Sequence, residues 1–111
     1  IEILSENVPS DHPVCLHSFQ GTEDLMEDFL RRWPNGCIGV NGCVTYWSTM
    51  GYHVFWNAYK APLSAILLET DGPYMPPEPH IEASTHPGHI LWVAHAVAEA
   101  KDMGTAEVLA A

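Results

Sequence analysis

The chain has 111 residues, of which 47% are hydrophobic and only 16% are charged. This composition can form a core, which excludes a disordered acidic tail. Its 14 acidic residues stand against 4 Lys and Arg, a formal net charge of −10, which argues against sequence-independent DNA binding through a basic face of this segment.

The first predicted strand covers residues 13–17, an apolar run that ends in a histidine. At such a position His17 can bind a metal ion through one ring nitrogen while a neighbouring group fixes the other nitrogen. By itself the signal is weak, because a histidine beside an apolar run is more often structural. A helix is predicted over 22–32, with Thr22 as N-cap and two arginines in its last turn.

The second predicted strand covers residues 37–46, which are β-branched, aromatic and interrupted by Gly39 and Gly42. Glycine within a strand indicates close approach of another group or a bend near a ligand. Tight packing in the inner layer of a barrel explains these glycines equally well. A second helix, rich in aromatic residues, is predicted from about 48 to 59.

The most informative segment is residues 65–73. Its apolar part, 65–68, is typical of a strand buried on both faces of a parallel sheet. It leads directly into Glu69 and Asp71, and carboxylates are costly to bury unless a cation or hydrogen-bond donors compensate them. The C-terminal ends of parallel strands also carry the active sites of α/β barrels. Asp71 is therefore the first candidate site residue; two solvated turn residues are the alternative.

The proline-rich segment 74–87 comes directly after these carboxylates and is interpreted as an ordered active-site loop, with a flexible linker as the alternative. A helix is predicted over 89–101, and a last helix begins near residue 105. The alternation of strands and helices predicts βαβ units, a parallel sheet and the α/β fold class.

The remaining histidines and the tryptophans allow two interpretations each. His86 and His89 have a spacing that allows both to share a metal on one helical turn, but a surface cluster with His80 is favoured. The tryptophans could stack on nucleic-acid bases; packing in the core is favoured for all four, which are Trp33, Trp47, Trp56 and Trp92.

Cys15, Cys37 and Cys43 form no CxxC pair, and their number is odd. We therefore expect free, reduced thiols and a cytoplasmic protein, with a nuclear or organellar location as the alternative. No apolar run reaches the length of a membrane-spanning helix, so we expect no membrane partner.

Three segments resemble the TatD-type DNases, which are metal-dependent hydrolases of the amidohydrolase-like barrel class. Residues 13–21, PVCLHSFQG, resemble the LHCFTG strand of that family, and residues 38–45, IGVNGCVT, resemble its IGITG strand. Residues 67–74, LLETDGPY, are similar to the LLETDAPY signature, the most specific of the three. Order and spacing also agree, so the resemblance extends from about Pro13 onward.

The resemblance implies a metal-dependent hydrolase with a TIM-like (β/α)8 barrel and two divalent ions, Zn, Mg or Mn, that cleaves phosphodiesters, usually of DNA. His17 would be a metal ligand and Asp71 a metal ligand and catalytic residue, while Glu69 would be a polar neighbour of the site. Because a complete barrel needs about 250 residues, residues 1–111 are expected to form one partial barrel domain, about the sixth to eighth strands with their helices, truncated at both ends.

The chain also departs from the family. It has no counterpart of the opening His-x-His pair or of the central glutamate ligand, and residues 84–87, STHP, replace an Arg-Asn-Glu-Pro motif whose basic residue would contact phosphate. DNA is therefore expected as a partner of the complete protein only, and the isolated chain is expected to be inactive. The alternatives are a non-catalytic half-barrel that binds or self-associates through unpaired strand edges, and a barrel hydrolase of a non-nucleic ester or amide.

Overall fold

The computed structural model describes residues 1–46 and 49–111. In chain order, the elements are α1 (Glu2–Asn7), β1 (Cys15–Leu16), α2 (Glu23–Arg32), β2 (Cys37–Val40), α3 (Thr49–Lys60), β3 (Ile66–Leu68), α4 (Ile90–Lys101) and α5 (Thr105–Ala110), with 3-10 turns at Gly42–Thr45, Leu63–Ala65 and Pro87–His89. The predicted helices are present, and α1 is an addition that the sequence did not indicate. Within this described part, no helix has the length and apolar character needed to cross a bilayer.

The three strands form one parallel sheet in the order β1-β2-β3, as predicted. Cys15 pairs with Cys37 across the first ladder, and Ile38 pairs with Ile66 across the second. Parallel pairing brings the C-terminal ends of all three strands to the same end of the sheet. The outer edges of β1 and β3 have no strand partner among the described residues, in line with the expected unpaired edges.

The second strand is shorter than predicted. Residues 42–45 form a 3-10 turn instead of continuing β2, and the Asn41 side chain caps this turn by accepting the Cys43 N–H at 3.0 Å. The Thr45 hydroxyl also donates to the Gly42 carbonyl at 2.7 Å. Asparagine competes for backbone N–H groups close to it in sequence, which favours a turn over a strand. The prediction of a strand through residue 46 was therefore wrong.

The core lies between one face of the sheet and helices α2, α3 and α4. Ile38 and Val40 of the central strand are at most 1% exposed. They pack with apolar side chains from the three helices, among them Met26, Phe29, Val54, Ala58, Val93 and Val97. Helix α4 thus contributes apolar side chains to the core.

The opposite face of the sheet is open. Alternation along the strands places Cys15, Gly39 and Leu67 on this face, and Leu67 is 49% exposed. The prediction that β3 is buried on both faces is therefore wrong for this chain taken alone, because the described helices cover only one of them.

The tryptophans divide into two groups. Trp33 is 1% exposed, and its ring centroid lies 5.5 Å from that of Phe29, so it is a core residue as predicted. Trp56 and Trp92 are 38% and 39% exposed, and for them the core interpretation was wrong because they lie on outward helix faces. Trp47 lies outside the described residues.

The cysteines differ in burial: Cys43 is buried, Cys37 is half-buried and Cys15 is exposed. Partial burial, a hydrogen bond with Cys37 and the charges of Cys37 and Glu69 raise the pKa of Cys15 to about 11. Only the thiolate is nucleophilic. Cys15 should therefore be unreactive at neutral pH although it is exposed, because its surroundings keep the thiol protonated.

We expect Cys15 to react with iodoacetamide at pH 7.5 roughly a hundredfold more slowly than an exposed cysteine of ordinary pKa. Because its pKa is raised, the rate should keep increasing about tenfold per pH unit beyond pH 9. Mass spectrometry of peptides alkylated at a series of pH values measures this. A plateau near pH 9 would show that the neighbouring groups do not hold the proton on Cys15.

Candidate metal centre

Three predicted site residues meet where the strands end. His17 follows β1 directly, and Glu69 follows β3, with Asp71 two residues later. One ligand atom from each lies within 4.8 Å of the other two. The central strand β2 separates the two contributing strands, as the parallel barrel interpretation predicted. The structure therefore brings His17, Glu69 and Asp71 together; their roles in metal binding stay a prediction.

Glu69 orients His17. Its Oε1 lies 2.9 Å from the Nδ1 of His17, and its Oε2 accepts the Ser18 N–H at 2.9 Å. The hydrogen bond and the negative charge of Glu69 raise the pKa of His17. In the neutral imidazole, an Nδ1–H that donates to Glu69 leaves the Nε2 lone pair free, which is the arrangement found around metal-bound histidines.

Asp71 presents one carboxylate oxygen toward this histidine. Its Oδ1 is buried, has no hydrogen-bond partner within the described part of the chain, and lies 3.7 Å from the Nε2 of His17. Since metal–oxygen and metal–nitrogen distances are about 2.0–2.2 Å, two ligands of one ion can lie up to about 4 Å apart. The free lone pairs and their separation therefore fit a divalent cation.

Asn41 is a site residue that the sequence analysis did not identify. It is 2% exposed. Its Nδ2 donates to the Ser18 hydroxyl oxygen and to the Oδ2 of Asp71, at 2.7 Å in both cases. The available signal was its position, because it is a polar residue directly after an apolar strand, as are His17 and Glu69.

Gly39 is required by the close approach of Glu69. A Cβ atom on Gly39 would lie 2.2 Å from the carboxylate atoms of Glu69, far closer than van der Waals contact. The sequence left two explanations for this glycine open, and the structure favours the close approach of a site residue over packing of a barrel layer.

We expect Gly39→Ala to displace the Glu69 carboxylate, breaking its bonds to His17 and the Ser18 N–H. Overpacking of this kind costs about 1–3 kcal/mol, and loss of a histidine-orienting partner weakens metal binding about 10–100-fold. Urea unfolding and Mn²⁺ titration measure the two effects. Gly104→Ala is the matched control, because its nearest new contact is the flexible end of Glu107 at 3.1 Å. Equal Mn²⁺ affinity in both variants would argue against this role of Gly39.

An open depression of about 520 Å³ lies over two of the three residues. It is bordered by His17 and Asp71 and, from the proline-rich segment, by Tyr74 and Met75. That segment is held by hydrogen bonds to residues before α3: the Tyr46 hydroxyl donates to the Pro76 carbonyl at 2.7 Å, and the Glu78 N–H donates to the Thr45 hydroxyl at 2.8 Å. The segment is thus an ordered loop beside the site, as predicted.

Three further histidines, His80, His86 and His89, form a stack of rings. The His89 ring centroid lies 4.0 Å from that of His86 and 5.0 Å from that of His80. In the described part of the chain, the only cluster with metal-binding geometry is that of His17, Glu69 and Asp71. Shared metal binding by His86 and His89 is therefore not supported. The surface interpretation also needs correction, since His89 is only 7% exposed, and its burial lowers its pKa.

Comparison with known proteins identifies the family of this chain. The family described as TatD related DNase matches residues 1–111. The chain belongs to the TatD family. A human relative, the 3'-5' RNA nuclease TATDN2, is 32% identical over 118 residues that cover 100% of this chain and 15% of the relative. The uncharacterized metal-dependent hydrolase YabD of Bacillus subtilis is 26% identical, and the match covers 86% of this chain and 46% of YabD.

Solved structures of TatD proteins match the fold. The crystal structure of YJJV, a TatD homologue from Escherichia coli K12, superposes with a TM-score of 0.74 at 27% identity, over 86% of this chain and 35% of YJJV. A TatD family hydrolase from Entamoeba histolytica gives a TM-score of 0.80 at 18% identity, over 98% of this chain and 42% of that protein. The chain therefore spans less than half the length of these TatD relatives, and its α/β fold corresponds to part of the TatD barrel.

Proposed function

We propose that this chain supplies one side of the two-metal centre of a TatD-type deoxyribonuclease, which hydrolyses phosphodiester bonds of DNA. The observation that carries the proposal is the buried Oδ1 of Asp71, which has no hydrogen-bond partner among the described residues and lies 3.7 Å from the Nε2 of His17. A buried carboxylate oxygen without a donor is costly unless a cation compensates it. The cluster of His17, Glu69 and Asp71 has two carboxylates and one imidazole. This excess of acidic groups suits the binding of a cation better than the direct binding of an anionic substrate.

The residues of this chain would act on the site in three ways. His17 and Asp71 would hold a divalent ion, and Glu69 would keep the His17 ring in the orientation that exposes Nε2. Tyr74 and Met75 would border the depression in which the substrate lies. When bound, divalent ions lower the pKa of a coordinated water and neutralise charge on a phosphate.

The four basic residues of the chain are paired with other groups of the fold. Each has acidic or carbonyl partners elsewhere: Arg31 and Arg32 pair with Asp28, Lys60 pairs with Glu23, and Lys101 donates to the Tyr59 and Ala61 carbonyls. We therefore infer that substrate binding depends on the metal ions and on other parts of a complete barrel.

The test is a hydrolysis assay with a complete barrel that contains this chain. We expect Mn²⁺- or Mg²⁺-dependent cleavage of a DNA oligonucleotide, abolished by a chelator. An RNA of the same sequence and a p-nitrophenyl carboxylic ester are assayed in parallel. Faster cleavage of RNA would assign the site to RNA, whereas hydrolysis of the ester alone would contradict a phosphodiesterase. Absence of all three activities would favour a non-catalytic half-barrel.

A further inference from the structure

Asn41 joins all three strands at the site. It follows β2, the central strand, and its neighbours in space belong to the segments after β1 and β3. Its side chain is buried, at 2% exposure. A buried amide in this position requires partners for its oxygen and for both of its N–H groups.

The orientation of this amide is fixed. The Oδ1 of Asn41 accepts the backbone N–H of Cys43 at 3.0 Å, and only an oxygen can accept there. The NH₂ group must therefore face the opposite side, where it donates to Ser18 Oγ and to Asp71 Oδ2 at 2.7 Å each. All donors and one acceptor of the amide are in use, so a rotated amide would lose these bonds.

The fixed amide makes the two oxygens of Asp71 different. Oδ2 is occupied by the N–H of Asn41, while Oδ1 is buried without a hydrogen-bond partner among the described residues. A carboxylate held in this way binds an ion through one oxygen. Calcium prefers six to eight oxygen ligands, often with both oxygens of a carboxylate, whereas an imidazole nitrogen suits Zn²⁺ and a carboxylate oxygen suits Mn²⁺.

We propose that Asn41 is a positioning residue that makes Asp71 a one-oxygen ligand and thereby selects Zn²⁺ or Mn²⁺ over Ca²⁺. The inference rests on the metal centre of the proposed function, and it adds the reason why that centre would prefer one ion over another. Asn41 acts only through Asp71 and Ser18.

The test compares ion selectivity in a complete barrel that contains this chain. Mn²⁺ binding is followed by electron paramagnetic resonance, and Ca²⁺ affinity is obtained by competition. For Asn41→Ala we expect at least tenfold weaker Mn²⁺ binding with Ca²⁺ affinity changed less than about twofold. Asn41→Asp keeps an oxygen that accepts the Cys43 N–H but cannot donate to Asp71, so it separates capping of the turn from positioning. We expect it to lower the ratio of Mn²⁺ to Ca²⁺ affinity at least tenfold.

Asn57→Ala is the matched control. Asn57 is also 2% exposed, and its amide donates to the Gly21 carbonyl at 2.8 Å, away from Asp71. It should lose stability in urea but keep the wild-type ion selectivity. If both Asn41 variants keep the wild-type ratio while Mn²⁺ still binds, the positioning role is overturned and the metal centre stands. If the complete barrel with the wild-type sequence binds no Mn²⁺ at millimolar concentrations, the metal centre and this inference are both overturned.

Discussion

The isolated 111-residue chain is expected to cleave no DNA above background, whereas a complete barrel that contains it should be active and lose that activity on Asp71→Asn. This chain offers one imidazole and one carboxylate as ligands, and most coordination positions of two ions would be left to water. Misplacement by about 1 Å costs on the order of a hundredfold in rate. Asp71→Asn removes the negative charge from the ligand, and we expect a loss of roughly 10³-fold in kcat, comparable with removal of a preorganised charge-stabilising group.

The matched control for Asp71→Asn is Asp102→Asn. Asp102 is exposed at the end of α4 with φ of 52°, a left-handed conformation that asparagine also adopts readily. The Asp102→Asn substitution should leave the hydrolysis rate of the complete barrel unchanged. Strong Mn²⁺- or Mg²⁺-dependent cleavage by the isolated chain would contradict the first expectation. Further ligands would then have to come from His86, His89 or a second copy of the chain.

Phe29→Ala is expected to destabilise the fold by about 3–5 kcal/mol, the usual cost of deleting a buried aromatic ring. Phe29 is 0% exposed and packs against Trp33, and both lie in the cluster that joins α2 to the sheet. Domains of this size are stable by about 5–15 kcal/mol, so the loss is a large share of the total and the variant should unfold at a much lower urea concentration than the unchanged chain. Urea unfolding followed by circular dichroism measures the change.

Leu25→Ala on the same helix is the control for Phe29→Ala. Leu25 is 41% exposed, whereas Phe29 is buried. Substitutions at exposed sites usually change stability by no more than about 0.5 kcal/mol, so its urea midpoint should lie close to that of the unchanged chain. Similar midpoints for the two variants would show that α2 does not anchor the core.

Local sequence patterns determined the elements of this protein and the residues at their ends. The predicted cap of α2 is present, with the Thr22 hydroxyl accepting the Leu25 N–H at 3.3 Å, because capping depends on residues only a few positions apart. The positions of His17 and Asp71 at strand ends followed from short apolar runs and their termination. The parallel order followed from alternation of strands and helices.

Only the tertiary structure decided how these residues act on one another. The bond between His17 and Glu69 joins residues 52 apart in sequence, and that between Asn41 and Asp71 joins residues 30 apart. Neither can be derived from periodicity, because both depend on the register and twist of three strands. The same holds for Leu67, whose exposure depends on whether an element covers the open face. Sequence thus determined which polar groups lie at the C-terminal ends of the strands. Packing decided which of them are paired and which oxygen of Asp71 has no hydrogen-bond partner among the described residues.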